Sequence, residues 1–146
     1  MKENIEFRSL CPVATSLDII GDKWTLLILR DMIWGHKTMF HEFKESPEKM
    51  PSKMLSNRLK KLESIGFISK QKGTVNKKSI YYLLEKRGFD TFPIMIEMAI
   101  FTTKHFFDHL GTTYTGDVKK RMLKDKLDYT KELILNYKQF VRLQKF

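Results

Sequence analysis

The hydrophobic positions of this chain fall mostly into short blocks with a period between three and four, and only two blocks alternate. Val13–Ile20 reads as a short helix stopped by Gly21. Asp22 is placed to cap the next helix, Lys23–Trp34, in which Trp24, Leu27, Ile28 and Met32 recur at helical spacing and which Gly35 ends. His36–Met39 is a short extended piece, and Phe40–Glu45 a brief helix with Phe40 and Phe43 turned inward. "SPEKM", Ser46–Met50, is a turn. Pro51 cannot continue a preceding helix, and Ser52 is a good N-cap for one that runs to about Ile65 and stops at Gly66. "FISKQK" and "SIYYLLE" read as strands around "GTVNKK", where Gly73 and Asn76 supply turn chemistry. Phe89–Leu110 predicts a long, very apolar helix, Gly111–Gly116 a loop, and Asp117–Phe140 a last amphipathic helix.

Two short helices joined by a tight turn and followed by a ribbon describe a winged helix-turn-helix. The expected fold is mainly α (α+β), with a two-stranded β wing and C-terminal dimerisation helices. Residues 1–110 are expected to form the DNA-binding domain, including its N-terminal and dimerisation helices, and 111–146 a C-terminal helical extension.

The helix after Pro51 has two chemically distinct sides. At about 100° per residue, Leu55, Leu59 and Leu62 lie within about 60° of one another. Lys53, Asn57, Lys60 and Ser64 lie opposite, Ser56 flanks that face, and the carboxylate of Glu63 falls off its centre. Amides suit adenine edges, lysines suit guanine or phosphate, and serine suits either. Because helix-turn-helix proteins read bases mainly from the start of this helix, Ser52, Lys53, Ser56 and Asn57 are candidate base readers. Lys60 and Lys61 fall nearer the phosphates. In the ribbon, Lys77 and Lys78 are candidates for backbone or minor-groove contact, beside Lys70 and Lys72.

Charge sharpens this picture through its distribution. The net charge is +10 over 146 residues, but His36–Gly88 holds 13 Lys and Arg against 5 Asp and Glu. Asp117–Phe146 holds 9 against 4, and both remaining segments are slightly acidic. The basic block coincides with the helix-turn-helix and its ribbon, which is the footprint expected for a polyanion.

"CPVATSLDIIGDKWTLLILRDMIWG" resembles the opening of the HxlR family of winged helix-turn-helix transcriptional regulators, through Cys11, Pro12, Gly21, Lys23 and Trp24. "FHEFKES" resembles the family's Phe-Asn-Glu-Leu segment at Phe40–Phe43. "MPSKMLSNRLKKLESIGFI" resembles its recognition helix, with Leu55, Arg58, Leu59, Leu62, Glu63 and Gly66 in matching places, and "YLLEKRG" its strand-to-helix junction. The match runs from about Cys11 to Phe107. It implies a homodimer, operator DNA and transcriptional control. The wing departs from the family in having Lys77 and Ser79 near the places of its usual Pro and Arg, and Glu85 replaces the junction's helix-capping Thr.

The remaining features bound the function. The resemblance makes Cys11, the single cysteine, a candidate redox sensor acting through an intersubunit or mixed disulfide. Arg8 and the following helix N-terminus are placed to lower its pKa. His105 and His109 stand one turn apart beside Asp108, but no complete ligand set accompanies them, so no metal is expected. Phe89–Leu110 is apolar nearly all round, which points to a homodimer interface or a lid over an apolar ligand pocket. Asp117–Phe140 is a second candidate for the interface, and its Lys119, Lys120, Arg121 and Lys124 for flanking phosphates. No nucleophile–base pair, phosphate loop or useful carboxylate pair marks an enzyme, and no cofactor is implied. Neither a signal peptide nor a membrane span is expected, which favours the cytoplasm. The expected function is that of a dimeric, sequence-specific regulator of transcription, a repressor, on double-stranded operator DNA, with a small-molecule or redox effector left open. The alternative is a non-specific nucleic-acid-binding architectural or protein-interaction module.

Overall fold

A computed structural model describes residues 5–106, 117–144 and 146. Its first helix, α1 (Pro12–Ile20), begins with a proline, whose missing N–H is harmless in a first turn. α2 (Lys23–Ile33) starts at Asp22, whose carboxylate accepts from the Thr25 N–H at 3.1 Å. Its Ile28, Leu29, Met32 and Ile33 are fully buried and form the centre of the core. α3 (Phe40–Lys44) is held at its start by Glu42, which accepts from the Thr38 and Met39 N–H groups, both at 2.7 Å. α4 (Ser52–Ser64) buries Leu55, Leu59 and Leu62 against that core, as the projection requires. The cap position falls on Pro51, however, and Ser52 is the first helical residue, so the expected serine cap is corrected. A proline just before the helix presets an extended entry and leaves the Ser52 side chain exposed.

α4 ends at Gly66, which takes a left-handed φ of 75°. The turn lets Gly66 N–H reach Glu63 O at 3.1 Å and Phe67 N–H reach Leu62 O at 2.9 Å. Arg87 Nη1 adds a bond to Ile65 O at 2.7 Å. A Cβ at Gly66 would meet nothing closer than the Arg87 guanidinium at 4.0 Å. Gly66→Ala is therefore expected to cost only the left-handed backbone penalty, about 1 kcal/mol in urea unfolding. A loss above about 3 kcal/mol would mean that packing also depends on this glycine.

β1 (Ile68–Lys72) and β2 (Ile80–Leu84) form one antiparallel ribbon, with Ile68 opposite Leu84 and Lys72 opposite Ile80. Ile68, Tyr82 and Leu84 turn into the core. The extended piece before α3 lies along the free side of β2, where Tyr82 N–H donates to Thr38 O at 2.7 Å.

The C-terminal elements differ from the sequence expectation in two places. The single helix expected over Phe89–Leu110 is instead the last residue of a short helix, α5 (Lys86–Phe89), followed by a separate α6 (Phe92–His105). Pro93 has no N–H to bond back to the previous turn, so the helix restarts there. The buried Thr91 hydroxyl secures the junction by donating to Gly88 O at 2.6 Å. Residues 107–110 of that stretch lie outside the described residues, as does the expected Gly111–Gly116 loop. The last helix is likewise two, α7 (Asp117–Lys124) and α8 (Lys126–Leu143). Asp125 leaves helical geometry between them, and its carboxylate caps α8 by accepting from Asp128 N–H at 3.0 Å. A periodicity of 3.6 continues across such a cap because the cap residue alone changes backbone region. Tyr129, Leu133 and Tyr137 of α8 join the same core cluster as α2 and α4.

Candidate nucleic-acid interface

Three sets of contacts fix α4 against the rest of the domain. Arg58 Nε donates to Asp22 Oδ1 at 2.8 Å, so the cap of α2 is also an anchor for α4. Burial opposes ionisation of Asp22, but the bonds from Thr25 and Arg58 outweigh it and hold the carboxyl below its usual range. Lys61 Nζ donates to Asp18 O at 3.1 Å, binding α4 to the last turn of α1. In front of α4, the turn 46–50 is held by buried Asp31, which accepts from Arg30 Nη2 at 2.7 Å, Lys37 Nζ at 3.1 Å and the Ser46 hydroxyl. Arg30 also donates to both carboxylate oxygens of Glu48, at 2.5 and 2.9 Å, which pulls that acid down to about 2. Lys49 completes the turn in a left-handed conformation, with φ at 51°.

With α4 so placed, Ser52, Lys53, Asn57 and Lys60 are exposed together on its outer side, and Ser56 is half-buried beside them. The one carboxylate of the helix, Glu63, is paired with Lys70 at 2.8 Å and so does not oppose an anion at this face. Two residues assigned to the polar side have local duties. Lys61 is half-buried and turned to α1, and the Ser64 hydroxyl donates to Lys61 O at 2.8 Å.

The ribbon carries a second basic surface. Its loop is closed by Gly73 N–H to Ser79 O and Ser79 N–H to Asn76 O, both at 2.9 Å. The Asn76 side chain accepts from Lys78 N–H at 3.1 Å, an Asx-type turn. Lys72, Lys77 and Lys78 are exposed. Beside them Val75 is 87% exposed at the tip, a residue that charge-led reading passed over. Its signal was present, since an apolar residue inside a polar turn has no core to serve.

Cys11 is exposed at the start of α1. The N–H groups of Ala14 and Val13 hold its thiol below the usual range. Arg8 contributes nothing here, because its Nε bonds Asp18 at 2.5 Å and its own N–H bonds the same carboxylate at 3.1 Å. His105 is exposed and packs by Phe101, while His109 and Asp108 lie outside the described residues. Of the expected flanking cations in the extension, Arg121 is paired with Glu132, Lys120 and Lys124 are exposed, and the side chain of Lys119 is not described. Among the described residues no helix is long and apolar enough to cross a membrane.

A short helix, a tight turn, a second helix with an exposed basic face and a basic ribbon define a winged helix-turn-helix protein of the transcription-regulating class. Residues 19–110 match the family described as HxlR-like helix-turn-helix, and the chain belongs to that family. The HTH-type transcriptional regulator YdeP of Bacillus subtilis strain 168 is 34% identical over 95 residues, spanning 65% of this chain and 73% of YdeP. The crystal structure of PA1607 superposes with a TM-score of 0.61 at 28% identity, covering 75% of this chain and 73% of that one. The redox regulator HypR in its reduced form shares the fold, with a TM-score of 0.58 at 24% identity over 68% of this chain and 99% of HypR. The family is one of transcriptional regulators and not of enzymes.

Proposed function

We propose that this protein is a cytoplasmic homodimer that binds double-stranded operator DNA sequence-specifically and represses transcription. The observation that carries the reading is the joint exposure of Ser52, Lys53, Asn57 and Lys60 on α4 and of Lys77 and Lys78 on the ribbon, with Glu63 neutralised between them. In this reading the start of α4 enters the major groove, Ser56 supports the base contacts, and Lys60 with the ribbon lysines meets phosphates. Lys61 serves the same face indirectly, by holding α4 to α1.

Dimerisation is supported by α6, which leaves Ile94, Met98 and Phe101 exposed at helical spacing. Val13 and Leu17 of α1 are exposed as well, so a second copy would cover surface that a monomer leaves wet. Two α4 helices about 34 Å apart would then read an inverted repeat. Cys11 is the site at which a thiol oxidant would act, taking two electrons and two protons from Cys11 and a second thiol, either a small-molecule thiol or Cys11 of the other subunit, to leave a mixed or intersubunit disulfide, since the chain has a single cysteine. An electrophile would instead alkylate the same thiolate.

Genome-fragment selection with purified protein supplies the operator for the test. Lys53→Ala and Asn57→Ala are each expected to weaken operator binding by about 1–3 kcal/mol while leaving the fold intact. Lys77→Ala should weaken operator and random duplexes alike, with a shallower salt dependence. Equal wild-type affinity for selected and random duplexes at physiological salt would sink the sequence-specific reading and leave a non-specific architectural protein.

A further inference from the structure

Residues 126–146 lie beyond the segment that matches the family, yet they reach the ribbon at two points, one at its base and one near its loop. A two-stranded ribbon leaves one side of each strand unpaired, and alone it is marginally stable. On β2 the free-side N–H groups are those of Ile80, at its exposed end, and of Tyr82 and Leu84. Tyr82 N–H is taken by Thr38 O. Leu84 N–H donates to the Tyr137 hydroxyl at 3.0 Å, so a side chain of α8 closes the buried end of the strand edge. Tyr137 is buried and packs edge-on to Phe89, with ring centroids 5.6 Å apart.

The second point is Phe146, whose buried ring lies 4.5 Å from that of Tyr81. Tyr81 in turn packs against Gly73, where an added Cβ would stand 3.3 Å from Cε2 of its ring. A chain of contacts thus runs from Phe146 through Tyr81 to the first residue of the loop that carries Lys77 and Lys78. At its other end α8 is fixed to α2, the helix that also anchors α4. Trp34 Nε1, at the C-cap of α2, donates to the Tyr129 hydroxyl at 3.0 Å. The ribbon is therefore tied to the α4 frame through α8 as well as through β1 and the Thr38 segment.

We propose that α8 and Phe146 brace the wing, with Tyr137 and Phe146 as positioning residues that hold its lysines at a fixed angle to α4 so that both meet one duplex. This rests on the DNA-binding reading above. The extension then acts on affinity without touching DNA.

The test uses the full chain carrying Phe146→Ala or Tyr137→Phe, with Phe146→Tyr as the conservative control. In free protein, hydrogen exchange at residues 73–80 is expected to speed up roughly tenfold in Phe146→Ala, while protection in α2 and α4 stays at the wild-type level. On operator DNA, the salt slope is expected to fall by about four, as two phosphate contacts are lost from each protomer of the dimer. Adding Lys77→Ala and Lys78→Ala to Phe146→Ala should then cost nothing more, and Phe146→Tyr should restore both readouts. Unchanged exchange in the wing overturns the brace, and so does full additivity of the lysine and Phe146 effects. If the wild type binds no duplex specifically, the regulator reading fails, while the exchange experiment still decides whether α8 holds the wing.

Discussion

Asp31→Ala is expected to remove about 3 kcal/mol of stability in urea unfolding. Asp31 is 8% exposed and serves as the common acceptor for Arg30, Lys37 and the Ser46 hydroxyl. Truncation leaves two half-buried cations facing a void where their carboxylate stood. The cost of leaving charges uncompensated exceeds the value of any single bond among them. Some relief comes from partners that stay: Lys37 Nζ also donates to Ser46 at 2.6 Å, and Arg30 keeps Glu48. That places the loss at the lower end of the range for broken buried pairs. Asp31→Asn preserves volume and one acceptor, so its loss should be smaller, about 1–2 kcal/mol. The functional consequence follows from position. The network ties the end of α2 to the turn that aims α4, so operator affinity should fall even at temperatures where Asp31→Ala is fully folded. A stability change below about 0.5 kcal/mol would show that the network contributes nothing net.

The double change Met98→Glu and Phe101→Glu is expected to turn a dimer into a monomer and to weaken operator binding at least about a hundredfold. Both side chains are exposed on α6, so acids there cost the isolated fold little. In the proposed dimer each would be buried beside its two-fold mate, where two added carboxylates per copy must be desolvated close to one another. The loss on DNA arises because the second half-site is no longer delivered by the first. Sedimentation at low concentration and an operator titration provide the two readouts. A variant that stays dimeric would move the interface elsewhere, and the exposed Leu127 and Leu135 of α8 would be the next surface to change.

Much of the architecture follows from side-chain order along single elements. The burial of Leu55, Leu59 and Leu62, the exposure of Lys53, Asn57 and Lys60, and the Asp22 and Gly66 ends of their helices are all local consequences. Each depends on residues within a few positions of one another, where helical periodicity and cap chemistry act directly. The breaks at Thr91 and Asp125 were hidden for a related reason. A hydrophobic stripe continues through a one-residue interruption, and Pro93 and Asp125 carried the signal that periodicity overrode.

Tertiary structure decided which cations are available. Lys53 and Lys61 look alike in sequence, yet Lys61 is bound to Asp18 of α1, Lys70 to Glu63, and Arg58 to Asp22, while Lys53 stays exposed. The partner lies 43 residues away for Lys61 and 36 for Arg58, distances at which no spacing rule operates. The same holds for the wing, whose Leu84 N–H finds its acceptor 53 residues further on, in Tyr137. Sequence alone set the helices and strands as far as Leu84, their buried faces and the basic block, because those depend on neighbours along the chain. Only the fold could divide that block into lysines that hold α4 in place and lysines left facing outward, because that division is made by carboxylates and carbonyls brought in from elsewhere.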